Sequence, residues 1–137
     1  MPVAVDLSSY GRAFADFWRE RHLCMLATAR AGATPHMVPV GATLDVRTSV
    51  ARVITSGSSM KARLVRAAGS EGAPVAVSQV DGRRWSTLEG RAVVRDDPDS
   101  VADAERRYAE RYRVPRANPR RVVLEIAVTR VLTNVRA

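Results

Sequence analysis

Two stretches separated by Asp81 and Gly82 constrain the fold of this chain more than any other feature. Residues 73–80 and 83–95 each have the composition of a β-strand, and an Asp-Gly pair between two such stretches is a strong signal for a tight hairpin. Gly90, inside the second stretch, predicts a bulge or a bend. The sequence therefore predicts a long antiparallel pair of strands, which argues against a doubly wound parallel sheet.

The rest of the chain adds four predicted strands and three predicted helices. The helices are expected from Ser8 and Ser9 to about Arg21, from the segment 56–59 to about Ala68, and from the segment 96–99 to about Tyr112. The strands are expected at 22–30, 34–44, 50–55 and 120–132. A chain of 137 residues is one domain's worth, so we expect a single mainly-β domain, 1–137, built as a small barrel with attached helices.

The second predicted strand, 34–44, contains two prolines, Pro35 and Pro39. Proline cannot donate to a β-ladder, so this strand is expected at an edge, or bulged where something approaches its backbone. Free backbone groups on such a strand can bond the polar edge of a ring; protection of an edge from aggregation explains the prolines equally well.

The charge of the chain indicates an anionic partner or a well-solvated surface. Twenty-two basic residues against 14 acidic ones give a net charge of +8, and Lys61 is the single lysine. Nucleic acid, a phosphorylated cofactor and an acidic small molecule all fit such a charge. No apolar run approaches the length of a membrane span, and Met1–Tyr10 lacks the pattern of a secretory signal, so we expect a cytoplasmic protein.

Residues that could perform chemistry by themselves are scarce. His22 and His36 form no metal-binding pair, and Cys24, in an apolar run, is most simply a small buried hydrophobe. No nucleophile motif is present, and most acidic residues lie in turns or on an arginine-rich helix. We therefore expect no metal and no catalytic side chain, and a protein that orients a cofactor or only binds a ligand.

The segment from Thr55 to Lys61 is the best local signal for a binding site. It joins a predicted strand to a predicted helix, where backbone N–H groups, hydroxyls and the helix dipole favour an anion. Lys61 adds a positive charge, and Arg52 on the preceding strand is placed to close the other side. A capped helix with a solvent-facing lysine is the alternative, since the glycine-to-lysine spacing is not that of a Walker loop.

Aromatic residues give a weaker signal. Phe14, Phe17 and Trp18 recur at helical spacing and are expected to be a packing face. Trp85, which follows Arg83 and Arg84, is expected either in the core or beside a flat ligand.

Taken in order, these segments resemble the split β-barrel family of flavin and deazaflavin oxidoreductases, which includes pyridoxamine phosphate oxidase. The resemblance covers residues 22–131, and the segments 78–85, 88–91 and 111–123 look most like the actinobacterial reductases that use coenzyme F420 to reduce biliverdin. Two positions depart from the family pattern. Met60 stands where flavin-type members often have an arginine, and Thr34 is an extra residue before Pro35.

The resemblance implies a homodimeric split barrel of six to seven strands that passes a hydride from reduced coenzyme F420 to biliverdin or a similar conjugated substrate. The resemblance does not specify which arginines contact that substrate, and three are candidates from their position in the predicted loop 113–119 and at its end: Arg113, Arg116 and Arg120. It implies cofactor contacts at the following positions: His36, Met37, Val38, Pro39, Val40, Arg52, Thr55, Ser56, Gly57, Ser59, Lys61, Gln79 and Trp85.

Two alternatives remain open at this stage. The first is an oxidoreductase of the same fold that binds FMN, and the second is a non-catalytic module that binds a tetrapyrrole or nucleic acid. Nucleic acid is disfavoured because the chain has only seven aromatic residues (2 Trp, 3 Tyr, 2 Phe), three of them on the predicted helical packing face.

Overall fold

A computed structural model describes residues 5–136. The first four residues, part of the segment tested for a secretory signal, lie outside this range. Seven strands are present: β1 (Cys24–Thr28), β2 (His36–Val40), β3 (Ala42–Asp45), β4 (Val50–Ser56), β5 (Ala73–Asp81), β6 (Arg84–Arg95) and β7 (Arg121–Thr133). Three α-helices are present: α1 (Gly11–Phe17), α2 (Met60–Ala67) and α3 (Pro98–Arg111).

The strands form one curled antiparallel sheet in the order β2-β1-β5-β6-β7-β4-β3. Its two edge strands, β2 and β3, are separated in the chain by Gly41 alone, so the sheet has to curl until its edges approach each other. This mainly-β half-barrel confirms the predicted fold class. The prediction of one strand over 34–44 is wrong, because the chain leaves β1 after β2 and pairs β3 with β4 instead.

The predicted hairpin is confirmed, with its turn shifted by one residue. Asp81 still pairs with Arg84, and the two turn residues are Gly82 and Arg83. Gly82 has φ of +61°, as the first central residue of a type II′ turn requires. The bulge at Gly90 is also confirmed, and a Cβ atom there would collide with the backbone carbonyl of Ala127.

The N-terminal helix is shorter than predicted. A 3-10 helix, Leu7–Tyr10, is capped by Asp6 rather than by the predicted serines, and the chain changes direction at Gly11, the first residue of α1, which has φ of +88°. The predicted packing face is confirmed, because Phe14, Phe17 and Trp18 are at most 2% exposed.

The other two helices lie on opposite sides of the sheet. Helix α2 begins after Ser59, whose hydroxyl accepts from the backbone of Ala62, and its buried face packs in the core. Helix α3 begins after Asp97 and lies against the outward side chains of β3 and β4. Among the described residues, no helix has the length and apolar composition to cross a membrane.

Candidate functional site: a cationic pocket between two loops

A pocket of about 350 Å³ opens where β2 meets β3, beside the end of β4 and the start of α2. Its outer wall is the connection from α3 to β7, residues 112–120, which we call the pocket loop. Four basic residues line the pocket, and within residues 5–136 no acidic residue does; the four are Lys61, Arg113, Arg116 and Arg121. Arg121 is paired with Glu105 at 2.6 Å, whereas the other three have no ion-pair partner in the described part of the chain. The pocket therefore has uncompensated positive charge.

The β4–α2 loop, residues 56–59, is held by hydrogen bonds within itself and to its neighbours. Thr55 Oγ1 donates to Ser59 Oγ at 3.0 Å, and the Ser59 amide donates to the carbonyl of Ser56 at 3.0 Å. The Gly57 amide donates to the carbonyl of Arg120 at 2.8 Å. The predicted loop residues thus shape the site mainly by fixing the start of α2.

The first residues of α2 provide an anion-binding end. The backbone N–H groups of Met60 and Lys61 have no intramolecular acceptor in the described residues, as expected at the start of a helix. The Lys61 side chain lines the pocket, and partial burial lowers the pKa of its ammonium group below the usual value. A phosphate-like anion would satisfy both N–H groups and stabilise the charged lysine.

The pocket loop reaches the same site from the opposite side. Asn118 Nδ2 donates to Ser56 Oγ at 2.9 Å, and Asn118 Oδ1 accepts from the Arg120 amide at 3.0 Å. These bonds bring Arg113 and Arg116 into the wall that contains Lys61. The side chain of Arg120 does not line the pocket; its carbonyl is the acceptor for Gly57.

The structure brings together seven of the predicted site residues. The residues that line the pocket are Pro39, Val40, Thr55, Ser56, Lys61, Arg113 and Arg116. Gly57 and Ser59 support it from the β4–α2 loop. On β2, His36 and Val38 share the inward side with Val40, while Met37 is exposed on the opposite face.

Arg52 does not close the pocket. It points away from the core, toward Asp103 of α3 at 3.8 Å and Glu125 of β7 at 4.0 Å. Strand alternation explains this, because Ala51 and Val53 occupy the inward positions of β4. Its predicted contact with a cofactor phosphate therefore has no geometric support in this chain.

Gln79 and Trp85 also lie away from the pocket wall. Gln79 is 2% exposed and donates to the carbonyl of Phe17 at 3.1 Å, so a ligand in the pocket cannot reach its side chain. Trp85 is 40% exposed and stands beside Val80 on the outer face of the sheet. It could join a binding site only if a second molecule covered that face.

Six pocket residues were missed by sequence reasoning: Gly41, Ile54, Tyr108, Pro115, Asn118 and Arg121. Gly41 is needed because a Cβ atom there would lie 2.7 Å from Cε2 of Tyr108. No short-range pattern marks this contact, since the two residues are 67 positions apart (108 minus 41). The Asn-Pro pair at 118–119 could have indicated a fixed turn.

A second polar cluster lies elsewhere, at the start of β1. Glu20, His22 and Asp81 place potential metal-ligand atoms within 4.8 Å of one another. However, Arg84 bonds both carboxylates, at 2.9 Å to Glu20 and 2.6 Å to Asp81. The bonds from Arg84 and His22 hold the pKa of Glu20 down to about 2. The carboxylate oxygens are thus already used in an ion-pair network.

Residues 11–134 match the pyridoxamine 5'-phosphate oxidase family, and the chain belongs to that family. A relative from Mycobacterium tuberculosis, F420H(2)-dependent biliverdin reductase, is 56% identical over 116 residues, covering 85% of this chain and 82% of the relative. Among solved structures, a conserved hypothetical protein from M. tuberculosis has a TM-score of 0.72 at 21% identity, covering 92% of this chain and 86% of its own. A structure described as F420 reductase has a TM-score of 0.66 at 21% identity, covering 89% of this chain and 98% of its own. The two structural likenesses establish the fold alone.

Proposed function

We propose that this protein is a coenzyme F420-dependent reductase that transfers a hydride to biliverdin or a similar linear tetrapyrrole. The observation that carries the proposal is the 56% identity to the mycobacterial reductase over 85% of this chain. The cationic pocket supports it independently, because both coenzyme F420 and biliverdin are polyanions. Coenzyme F420 has a phosphodiester and a glutamate tail, and biliverdin has two propionates.

The residues present fit the phosphate of such a cofactor. Lys61 lines the pocket, and the backbone N–H groups of Met60 and Lys61 at the start of α2 have no acceptor in the described residues. Thr55 and Ser59 hold the start of α2 in place. Met60 stands where flavin-type relatives often have an arginine. Its thioether side chain cannot donate a hydrogen bond to a phosphate oxygen as an arginine does, and this favours coenzyme F420 over FMN.

The substrate end of the site is the pocket loop. Arg113 and Arg116 are exposed, have no ion-pair partner in residues 5–136, and line the same pocket as Lys61. Guanidinium groups bind carboxylates with two parallel hydrogen bonds, so these two residues suit the propionates of a tetrapyrrole. Arg120, the third predicted substrate contact, would meet the substrate only by swinging away from its present side-chain position.

In the proposed mechanism this chain binds and orients its ligands. When bound, reduced coenzyme F420 would supply the hydride that converts biliverdin to bilirubin by reduction at its C10 bridge. Lys61 and the α2 N–H groups hold the anionic end of the cofactor, and Arg113 and Arg116 hold the carboxylates of the substrate, which fixes their relative position. The reduction also takes up one proton. The described pocket wall contains no His, Asp or Glu, so solvent is the proton source we expect.

An anaerobic turnover assay tests the proposal directly. Purified protein is mixed with reduced coenzyme F420 and biliverdin, and formation of oxidised deazaflavin and bilirubin is followed by absorbance. We expect turnover with reduced coenzyme F420 and none with NADPH or with reduced FMN. Turnover with FMN alone would assign the protein to the flavin-dependent branch. Quenching of F420 fluorescence without turnover would support coenzyme F420 as the cofactor and would reject biliverdin as the substrate.

We further propose that the protein works as a homodimer formed through the outer face of β1, β2, β5 and β6. Strand register places four exposed apolar side chains on this face: Met25, Met37, Val80 and Trp85, which are 38–68% exposed. Exposed apolar patches of this kind mark association surfaces, and a symmetric dimer covers the same patch on both copies. Such a dimer would also bring Trp85 under cover.

Sedimentation equilibrium tests the dimer. We expect a mass of twice the 15.0 kDa chain for the parent. Val80→Glu should give a folded monomer, whereas Ala102→Glu, at an exposed position of α3, should leave the dimer intact. A parent that sediments as a monomer at every concentration contradicts the dimer and leaves the proposed reaction untouched.

A further inference from the structure

The last residue of α3, Arg111, is the one charged residue among the buried residues of the described range, at 7% exposed. Its Nε donates to the carbonyl of Glu20 at 2.8 Å, and its Nη1 donates to the carbonyl of Ala42 at 2.5 Å. Its Nη2 donates to Oε1 of Gln79 at 2.6 Å. Within residues 5–136 it has no carboxylate partner. Three neutral oxygens from three separate segments therefore surround this charge.

Aromatic faces complete the environment of Arg111. The guanidinium carbon lies 5.3 Å from the ring of Trp18 and 5.2 Å from the ring of Tyr112. Tyr112 is itself fixed, because its hydroxyl donates to the carbonyl of His22 at 2.7 Å and accepts from the Ala42 amide at 3.1 Å. We call Arg111 and Tyr112 together the loop anchor.

Burying the charge of Arg111 costs desolvation free energy, so stabilising the core does not by itself explain the loop anchor. A buried ion is often replaced by apolar side chains at no cost in stability, whereas removing its partners is strongly destabilising. A lysine could not reproduce the three directed bonds, because its ammonium is a compact point charge on a flexible stem. What the arrangement provides is one definite position for the end of α3 relative to β1, β3 and β5.

That position matters because the pocket loop begins at the anchor. Tyr112 is the first residue of the loop, and Arg113 and Arg116 follow it into the pocket wall. The far end of the loop is fixed by the bond from Gly57 to the carbonyl of Arg120. Between these two points, the loop is oriented by the bond from Asn118 to Ser56 and by a bond from Arg121 Nη2 to the carbonyl of Arg116, at 2.6 Å.

We propose that Arg111 and Tyr112 are positioning residues that hold the pocket loop, and with it Arg113 and Arg116, in the orientation that binds the substrate. Neither anchor residue lines the pocket, and neither belongs to the anion-binding end of α2. Loss of the anchor therefore weakens substrate binding while the cofactor end stays intact. The identity of the substrate rests on the proposed function, but the claim that the anchor orders the loop does not.

Limited trypsin digestion of the full chain tests that claim without any ligand. Trypsin cleaves after Arg113 and Arg116 once the loop opens. We expect Arg111→Met and the milder Tyr112→Phe to speed cleavage at these two bonds about tenfold, the change that a loss of about 1.4 kcal/mol produces. Val77→Ala is the control for general destabilisation, because it creates a core defect in β5 without removing any of the hydrogen bonds of the anchor, and it should leave this cleavage at the parent rate.

Steady-state kinetics then separate positioning from simple destabilisation. With reduced coenzyme F420 and biliverdin, Tyr112→Phe should raise the KM for biliverdin about tenfold. It should leave kcat and the dissociation constant of the cofactor close to the parent values. Arg111→Lys should behave like Arg111→Met, since charge alone does not restore the three bonds.

The proposal is overturned if both anchor variants lower the thermal midpoint as Val77→Ala does but are cleaved in the loop at the parent rate. It is also overturned if the loop is cleaved faster while the KM for biliverdin stays the same. If the parent protein itself fails to reduce biliverdin, the proposed function fails, and the trypsin experiment still decides whether the anchor orders the loop.

Discussion

The two loops that form the pocket reach it in different ways. The β4–α2 loop is short, and its own hydroxyl and amide groups hold it: Thr55 bonds Ser59, and Ser59 bonds both Ser56 and Ala62. The pocket loop is longer, and buried side chains at its start, above all Arg111, secure it. The first loop is therefore fixed mainly by local bonds, with added bonds to Asn118 and Arg120, and the second by contacts far apart in the chain.

This difference matches the roles of the two loops in the proposed reaction, in which the first binds the cofactor and the second binds the substrate. A locally fixed loop suits the phosphate of a cofactor, because its N–H groups stay in place whether or not a ligand is present. A loop held mainly at its ends can adjust around a larger and less regular substrate. If these roles are right, substitutions in the two loops should affect different binding steps.

The largest effect is expected from Lys61→Glu in the first loop region. Reversing this charge removes the cation at the start of α2 and places a carboxylate where an anion binds, so cofactor affinity should fall at least about 100-fold. Calorimetric titration with coenzyme F420 measures this, and circular dichroism checks that the fold is retained. Arg63→Glu, on the exposed side of α2, is the control for the same change of net charge. A Lys61→Glu protein that binds the cofactor as the parent does would refute the assignment of this site.

Arg113→Ala and Arg116→Ala, in the pocket loop, should have a smaller effect on a different constant. Each removes an exposed cation, so each should raise the KM for biliverdin about fivefold, with cofactor affinity unchanged. Arg120→Ala is the internal comparison, because its side chain lies outside the pocket wall and its loss should change the KM less. Equal effects at all three positions would indicate general charge attraction rather than directed contacts. Measuring the KM for biliverdin in added salt is a further test, because salt screens general charge attraction to the same extent at all three positions.

The same contrast explains what the sequence could and could not predict. The β5–β6 hairpin, the bulge at Gly90 and the start of α2 after Ser59 depend on nearby residues, and local patterns identify them. The break at Gly41 could not be predicted, because it depends on which strands the two halves of the segment pair with. The family resemblance supplied the fold class and the expectation that Lys61 contacts the cofactor phosphate.

The direction of individual side chains is the second feature that the sequence could not predict. Arg52 precedes the binding loop by only a few residues, but strand alternation turns it toward Asp103 on α3. Gln79 lies in a segment typical of the family, but it is buried and bonds Arg111. Proximity in sequence indicates the right region in both cases, whereas the face of the strand decides what the side chain can touch.

Gly41→Ala tests the connection between β2 and β3, which lies against Tyr108 and Tyr112. A Cβ atom at this position would lie 2.7 Å from Cε2 of Tyr108 and 3.2 Å from Cε2 of Tyr112. Both rings would have to move, which should cost about 1–3 kcal/mol of unfolding free energy. Urea denaturation measures this cost. Gly69→Ala is not a suitable control, because Gly69 has φ of +76° and an alanine there would be strained. Ala67→Gly, at the exposed end of α2, is a better reference for an ordinary glycine–alanine change, at about 1 kcal/mol. Wild-type stability in Gly41→Ala would show that the tyrosine rings are free to shift.

The pH dependence of binding should be the smallest effect and should belong to the first loop alone. Partial burial lowers the pKa of the Lys61 ammonium group below its usual value. An anion prefers the protonated lysine, so cofactor affinity should fall as the pH rises through the lowered pKa of Lys61. Lys61→Arg retains a charge that does not titrate there, and its affinity should stay level over the same interval. Titrations of both proteins with coenzyme F420 at pH values from neutral to about 10 give the comparison. Parallel curves for the two proteins would mean that the decline arises in the ligand, and that Lys61 does not carry the charge the cofactor meets.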